Sequence, residues 1–250
     1  MKKFEQYHDD DMIFHKRLKF NFSQADKYKN ITLKEILAFT SDTAVEDYHQ
    51  RGISFDRLCE NKIGLIVSRV SFHFYKMIKA DDIVVIHTWE EAPKGLFFVR
   101  RYEIENEDGE KLLSGNSLWV CVNLENRTFI RPKDFTLRPL PARRTECVCI
   151  EPGKIKHPEN LQKLGSRKIV FSDIDRNGHV NNSRYAQMIM DNIAENFQSK
   201  DIKDFRINYV HEAILNDELE IFANYDEKNQ MLTVVGKSDD KINFEAELIY

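Results

Sequence analysis

One short stretch of this chain gathers the residue types that acid–base chemistry uses. In Asp173-Ile174-Asp175-Arg176-Asn177-Gly178-His179-Val180-Asn181-Asn182-Ser183-Arg184-Tyr185, the residues Asp175, Asn177 and His179 occupy alternate positions. If the segment is extended, alternate side chains share one face, so the spacing predicts a carboxylate, a carboxamide and an imidazole projecting together. Asn182 or Ser183 then serves as the N-cap of a following helix, whose free N–H groups favour developing negative charge. Attack of water on an acyl carbonyl asks for such parts: a group to take the proton and fixed donors for the oxyanion. Each residue alone has a plainer role. A histidine at a helix entrance is more often structural than catalytic, Asp175 can cap a turn, and Asn177-Gly178 is an ordinary turn dipeptide. Their coincidence in one segment favours the chemical reading.

The elements that must hold this segment are visible as an internal repeat. Phe22-Ser23-x-x-Asp26 recurs as Phe171-Ser172-x-x-Asp175, an offset of 149 residues. Met77-Ile78-x-x-Asp81-Asp82-Ile83 resembles Ala213-Ile214-x-x-Asp217-Glu218-Leu219, an offset of 136. Two matches in the same order indicate a duplicated unit. In the first unit Thr32-x-x-Glu35 is a capping box. Leu33, Ile36, Leu37, Thr40, Ala44 and Tyr48 then follow helical spacing, and Gly52 closes the helix. Tyr185, Met188, Ile189, Asn192, Ile193 and Asn196 repeat the pattern, with asparagines interrupting the apolar face.

After each helix the period becomes two. Residues 97–105 and 111–123 flank Glu107-Asp108-Gly109, good hairpin chemistry. Leu219, Ile221, Ala223 and Tyr225 alternate, as do Ile242, Phe244, Ala246 and Leu248. The economical solution is an α+β fold in which a curled antiparallel sheet wraps one central helix, made twice. We place a first domain at 1–131, a connection at 132–166 and a second domain at 167–250. Between 131 and 168 there are ten Lys or Arg against four Asp or Glu.

Bulk properties exclude several classes. The 250 residues are 42% hydrophobic and 31% charged, a globular balance. A net charge of -4 argues against a nucleic-acid binder. No apolar run long enough to span a membrane occurs, and residues 1–12 do not read as a secretory leader. Cys59, Cys121, Cys147 and Cys149 are too few and too unevenly spaced for a disulfide scaffold. They read as reduced thiols of a cytoplasmic protein. The histidines show no metal-ligand spacing, and no cofactor motif is present, so no metal or cofactor is expected.

Asp175-x-Asn177-x-His179-Val180-Asn181-Asn182-x-x-Tyr185 resembles the signature of the acyl-ACP thioesterases, the plant and bacterial terminators of fatty-acid chain elongation. Trp119-Val120-x-x-Asn123-x-x-x-Arg127-x-x-x-Arg131-Pro132 is similar to the strand that ends that family's first domain. Tyr209-Val210-His211-Glu212-Ala213 resembles its later Tyr-Arg-Arg-Glu-Cys segment. The resemblance runs from about Phe14 to the end. It implies a double hotdog fold, and hydrolysis of fatty acyl-ACP to a free fatty acid. The implied partner is acyl carrier protein with its phosphopantetheine-linked chain.

The same resemblance assigns catalysis to Asp175, Asn177, His179 and Glu212. On the repeat register above, the first-unit counterparts of the last three are Tyr28, Asn30 and Lys76, and only Asp26 persists. The first unit is therefore expected to keep the scaffold and supply the acyl-chain cavity. Where the family has a cysteine after the glutamate this chain has Ala213, which excludes a thiol nucleophile there. Glu212 or Asp175 is left to activate water, or one of these carboxylates attacks directly to give a mixed anhydride. The oxyanion would face backbone N–H groups near Asn181, Asn182 and Ser183, with Tyr185 beside them as a substrate-binding residue. His211 would point to the opposite strand face from Glu212.

Arg143 and Arg144 could dock an acidic carrier protein, or simply solvate a linker. Two rival functions stay open: an acyl-CoA thioesterase of hotdog fold, and a non-catalytic acyl-thioester binder. Acyl chain length and a monomeric or homodimeric state are not legible in the sequence.

Overall fold

The period-two stretches all become strands of one sheet in a computed structural model of the chain, which describes residues 5–250. The expectations for the N-terminus fall partly on residues 1–4, outside the described residues. The first unit contains β1 (Gln6–His8), β2 (Phe14–Lys19), α1 (Leu33–Gln50), α2 (Phe55–Glu60) and β3 (Ile63–Phe74). It continues with β4 (Ile83–Lys94), β5 (Phe97–Asn106), β6 (Lys111–Asn123) and β7 (Phe129–Ile130). The second contains β8 (Gln162–Lys168), α3 (Asn182–Asn192), α4 (Glu195–Gln198) and β9 (Asp204–Tyr209). It ends with β10 (Glu218–Asp226), β11 (Met231–Ser238) and β12 (Lys241–Ile249). Strand order is β1-β2-β4-β5-β6-β3-β9-β12-β11-β10-β8, with β7 on β6. The units meet where antiparallel β3 and β9 pair, Val70 opposite Ile207 and Phe72 opposite Phe205. The fold is an α+β double hotdog.

Side-chain periodicity explains why the sheet wraps its helices. The α1 stripe Leu33, Ile36, Leu37, Thr40, Ala44 and Tyr48 is buried throughout, as are Leu219, Ile221, Phe244, Ala246 and Leu248 on the strands of the second unit. Burying one such aliphatic or aromatic side chain stabilises by about 1.5–3 kcal/mol. One packing device occurs twice. A Cβ on Gly115 would lie 2.6 Å from the Phe72 ring, and one on Gly236 would lie 2.1 Å from the Phe244 ring. Each glycine lets a phenylalanine of the neighbouring strand lie flat across it.

Several local expectations change. Thr32 accepts from the Glu35 N–H at 3.3 Å, but the Thr32 N–H goes to the Gln24 carbonyl instead of the Glu35 side chain. Only half the capping box forms. Gly52 follows the end of α1 with φ +76, as expected of a helix stop. Helix α3 stops at Asn192, so Asn196 belongs to the separate turn α4. Strand β8 begins at Gln162, and the boundary placed at 166 falls inside it.

The connection between units is a strap laid over the outer face of the sheet. Its Arg143 carbonyl accepts from Ala92 N–H at 2.8 Å, and its Gly153 carbonyl from Asn208 Nδ2 at 2.8 Å. Arg138 plunges inward to Glu90. There Tyr48 Oη donates to Glu90 at 2.6 Å, Arg51 reaches Glu90 at 3.0 Å, and Arg100 pairs Asp47 at 2.8 Å. Burial pushes the Asp47 carboxyl up, but Arg100, His8 and Arg51 outweigh it and leave the pKa lowered. No helix among the described residues is long and apolar enough to cross a membrane.

Candidate active site

The segment 171–181 is a tight turn, not the extended run the alternate spacing suggested. A short 3-10 turn, Phe171–Asp173, leads into a bridge between Ile174 and Val180. Asp175 N–H donates to the His179 carbonyl at 2.8 Å, and Gly178 N–H to the Asp175 carbonyl at 3.1 Å. Gly178 sits at φ +85, which glycine adopts without penalty. The Asp175 carboxylate accepts from the Asn177 N–H at 2.7 Å and from its Nδ2 at 3.4 Å. Asp175 is therefore committed to shaping the turn and steering the Asn177 amide, the bland role its type allowed.

The turn carries His179 toward Glu212. Val180 N–H donates to the Ala213 carbonyl at 2.9 Å, clamping the turn against the chain that leaves β9. His179 Nε2 then lies 3.2 Å from Glu212 Oε2, with the two side chains 36% and 60% exposed. Solvent thus reaches both. The strand ends at Tyr209, so His211 and Glu212 sit in irregular chain, and His211 Nδ1 turns to the Ile242 carbonyl at 2.8 Å. Asn243, 1% exposed, reaches the carbonyls of His211 and Glu212 at 3.4 Å each. It fixes the glutamate's backbone. Nothing in the alternation of β12 marked it, because an asparagine at an alternate strand position reads as solvent-facing.

The helix N-terminus departs from expectation in three ways. The N-cap is Asn181, whose side chain accepts from Ser183 N–H at 3.0 Å and Ser183 Oγ at 2.8 Å. The Asn181 N–H donates to the Asp173 carbonyl at 2.9 Å. Of the three N–H groups expected to face an oxyanion, only that of Asn182 stays open among the described residues. Tyr185 is 2% exposed and packed on the rings of Tyr209 and Phe244, and it does not line the cavity between α1 and α3.

Asn181, Asn182 and Ser183 form one end of a cavity of about 110 Å³ between α3 and α1. Leu37, Thr40, Ser41 and Asp42 of α1 form its opposite wall, and Val67, Val70, Tyr102 and Trp119 its sheet side. The cavity is thus shared, with most of its lining from the first unit. Asp42 lines it from an exposed position on α1, and partial desolvation raises its carboxyl pKa. It takes no hydrogen-bond or ion-pair partner among the described residues. The helical stripe passed it over, since position 42 falls outside the 33/36/37/40/44/48 series.

The repeat register also sharpens. Asp81 N–H donates to Phe20 O and Asn216 N–H to Ile169 O, while Ile31 N–H donates to Ile78 O and Val180 N–H to Ala213 O. Asp81 and Asn216 share a positive φ, 72° and 77°. The offset in this half is therefore 135 residues, one less than the sequence match gave. The first-unit counterpart of Glu212 is Met77, and Lys76 is its neighbour. Tyr28, Lys29 and Asn30 remain opposite Asn177, Gly178 and His179.

Of the docking pair, Arg143 is tied to the Asp11 backbone and carboxylate, whereas Arg144 is exposed. A rim that the sequence did not single out flanks the site: Val170, Phe171, Ile214 and Leu215 are exposed apolar side chains, Phe171 by 84%. Among the described residues no cluster of three or more His, Cys, Asp or Glu could hold a metal.

Comparison with known proteins finds relatives along most of the chain. The family model described as the acyl-ACP thioesterase N-terminal domain matches residues 11–137, and that of the C-terminal domain matches 157–248. An oleoyl-acyl carrier protein thioesterase 2, chloroplastic, of Arabidopsis thaliana is 23% identical over 90% of this chain and 69% of its own. An acyl-ACP thioesterase of Bacteroides thetaiotaomicron superposes with a TM-score of 0.85 at 24% identity, covering 96% of this chain and 98% of that one. A 12:0-ACP thioesterase of Umbellularia californica gives 0.79 at 14%, covering 97% and 98%. With both domain models matched in order along one double hotdog, the chain belongs to the acyl-ACP thioesterase family and is a thioester hydrolase.

Proposed function

We propose that the chain hydrolyses fatty acyl-ACP at the His179–Glu212 pair. The observation that carries this is their 3.2 Å contact, two residues before a cavity end that offers the Asn182 N–H. Glu212, with one oxygen on His179, has the other for water. Water loses its proton to Glu212 as its oxygen attacks the thioester carbon. The oxyanion is held by the Asn182 N–H, with the Asn177 carboxamide steered by Asp175. The C–S bond then breaks, the fatty acid is released, and the carrier's thiolate recovers the proton. The acyl chain occupies the cavity between the helices, so first-unit side chains set its length.

The exposed rim of Val170, Phe171, Ile214 and Leu215, with Arg144 on the strap, is where the acidic carrier docks, apolar contact adding to charge. Thiol release from acyl-ACPs of C8 to C18, with matched acyl-CoAs, tests the reading. Glu212→Ala and His179→Ala should each lose about 10²–10³ in kcat, the scale of a positioned base or its partner. Undiminished turnover by Glu212→Ala would sink the mechanism, and preference for CoA substrates would overturn the carrier specificity.

A further inference from the structure

Away from the active site, the strap brings two cysteines together over a buried cation. Cys147 and Cys149 are each partly exposed, and their Sγ atoms lie 3.1 Å apart. Cys147 Sγ also reaches the Gly115 carbonyl at 3.6 Å. Beneath them runs a row of the outer sheet face in which Arg101 of β5, Asn116 of β6 and Ser71 of β3 are direct cross-strand partners. Their inward-facing neighbours Tyr102 and Phe72 belong to the core, so this row faces the strap. Arg101 Nε and Nη1, Ser71 Oγ and Asn116 Oδ1 are buried with no hydrogen-bond partner among the described residues. Among the described residues, the one carboxylate ion-paired with Arg101 is Glu151, at 4.0 Å and 61% exposed. A guanidinium with two unused buried donors is a site for a neighbouring anion.

We propose that Cys147 and Cys149 form an oxidisable dithiol that takes hydroperoxides, Cys147 being the attacking thiolate and Cys149 the resolving thiol. A hydrogen bond from Cys149 and the charge of Arg101 outweigh burial and bring the Cys147 thiol down to about 7. The bond to Cys147 and burial push Cys149 up, so it keeps its proton and acts as the donor. The other two cysteines lack this setting. Cys59 is exposed without such partners, and burial pushes Cys121 up to about 12.

In the first step the Cys147 sulfur attacks the distal oxygen of the hydroperoxide. The O–O bond breaks, and the alcohol or water leaves with a proton from solvent, giving a sulfenic acid. In the second the Cys149 sulfur attacks Cys147, the S–O bond breaks, and the departing hydroxide leaves as water with the Cys149 proton. Two electrons pass from the two sulfurs to the peroxide. The sulfurs must close from 3.1 Å to about 2.0 Å, a movement the irregular strap permits.

The test uses the reduced full-length protein treated with an equivalent of hydrogen peroxide, then alkylated and digested with trypsin. Both cysteines fall on one peptide, residues 145–154. That peptide should lose two hydrogens and escape alkylation while Cys59 stays alkylated. Cys149→Ser should stop at a dimedone-trappable sulfenic acid on Cys147, and Cys147→Ser should leave Cys149 reduced at the same dose. Without peroxide, Cys147 should alkylate about threefold to fivefold faster than Cys59 at pH 7, since the lower pKa outweighs the weaker intrinsic nucleophilicity. Arg101→Met should reduce that advantage, with an unchanged thermal midpoint certifying its fold. A peptide that stays reduced while Cys59 oxidises, or equal alkylation midpoints in pH for Cys147 and Cys59, would overturn the proposal.

Discussion

At the scale of single residues, the two carboxylates near His179 have separate surroundings. Asp175 is occupied by the Asn177 amide, whereas Glu212 faces solvent with one oxygen on His179. Asparagine can still accept from the Asn177 N–H, so Asp175→Asn should keep turnover within about tenfold, while Glu212→Gln should lose about 10²–10³. Equal losses would mean that both carboxylates handle the proton. Asp42 yields a prediction of the opposite sign for stability. Its carboxyl pKa is raised by partial desolvation, so the unfolded state ionises first as pH rises. The resulting cost appears above the ordinary carboxylate range and is complete above the raised value. Asp42→Asn should therefore increase the thermal midpoint at pH 7, and the gain should vanish toward pH 4. A gain that persists in acid would show that the effect is not electrostatic.

At the scale of elements, the strands and helix faces were legible because burial imposes a period, and α1 follows its stripe from Leu33 to Tyr48. What could not be read was the path of irregular chain. Alternate spacing of Asp175, Asn177 and His179 suits a strand, yet the Asp175 side chain closes an Asx turn that gathers the same residues by another route. One added residue in a loop shifts a repeat match from 135 to 136 without altering the residue types that flank it. Hydrogen bonds decide it, and they name Met77 as the first unit's substitute for Glu212. The strap was read as a linker because its polar contacts are made with residues distant in sequence. The glycine–phenylalanine device predicts an overpacking cost. Gly236→Ala should destabilise by about 1–3 kcal/mol in urea, as the Phe244 ring is displaced. A neutral result would mean the ring has a second rotamer to use.

At the scale of the whole molecule, fusion of two units made the asymmetry of the site possible. One helix end bears His179 and the turn, and the other unit walls the cavity through α1. Each half could then change without its counterpart, as Tyr28, Asn30 and Met77 show. If the carrier docks at the apolar rim, Phe171→Ser should raise KM for acyl-ACP by several-fold with kcat unchanged, and Arg144→Glu should do so most at low salt. A fall in kcat instead would place Phe171 in the reaction.

The β3–β9 seam has a consequence for mass action. In a two-chain hotdog such a seam would be an association equilibrium, and dilution would take the site apart. Here Val70 and Ile207 are joined through the strap of their own chain, so their encounter is first order. Specific activity should hold constant from micromolar to low nanomolar enzyme, because dilution cannot part β3 from β9.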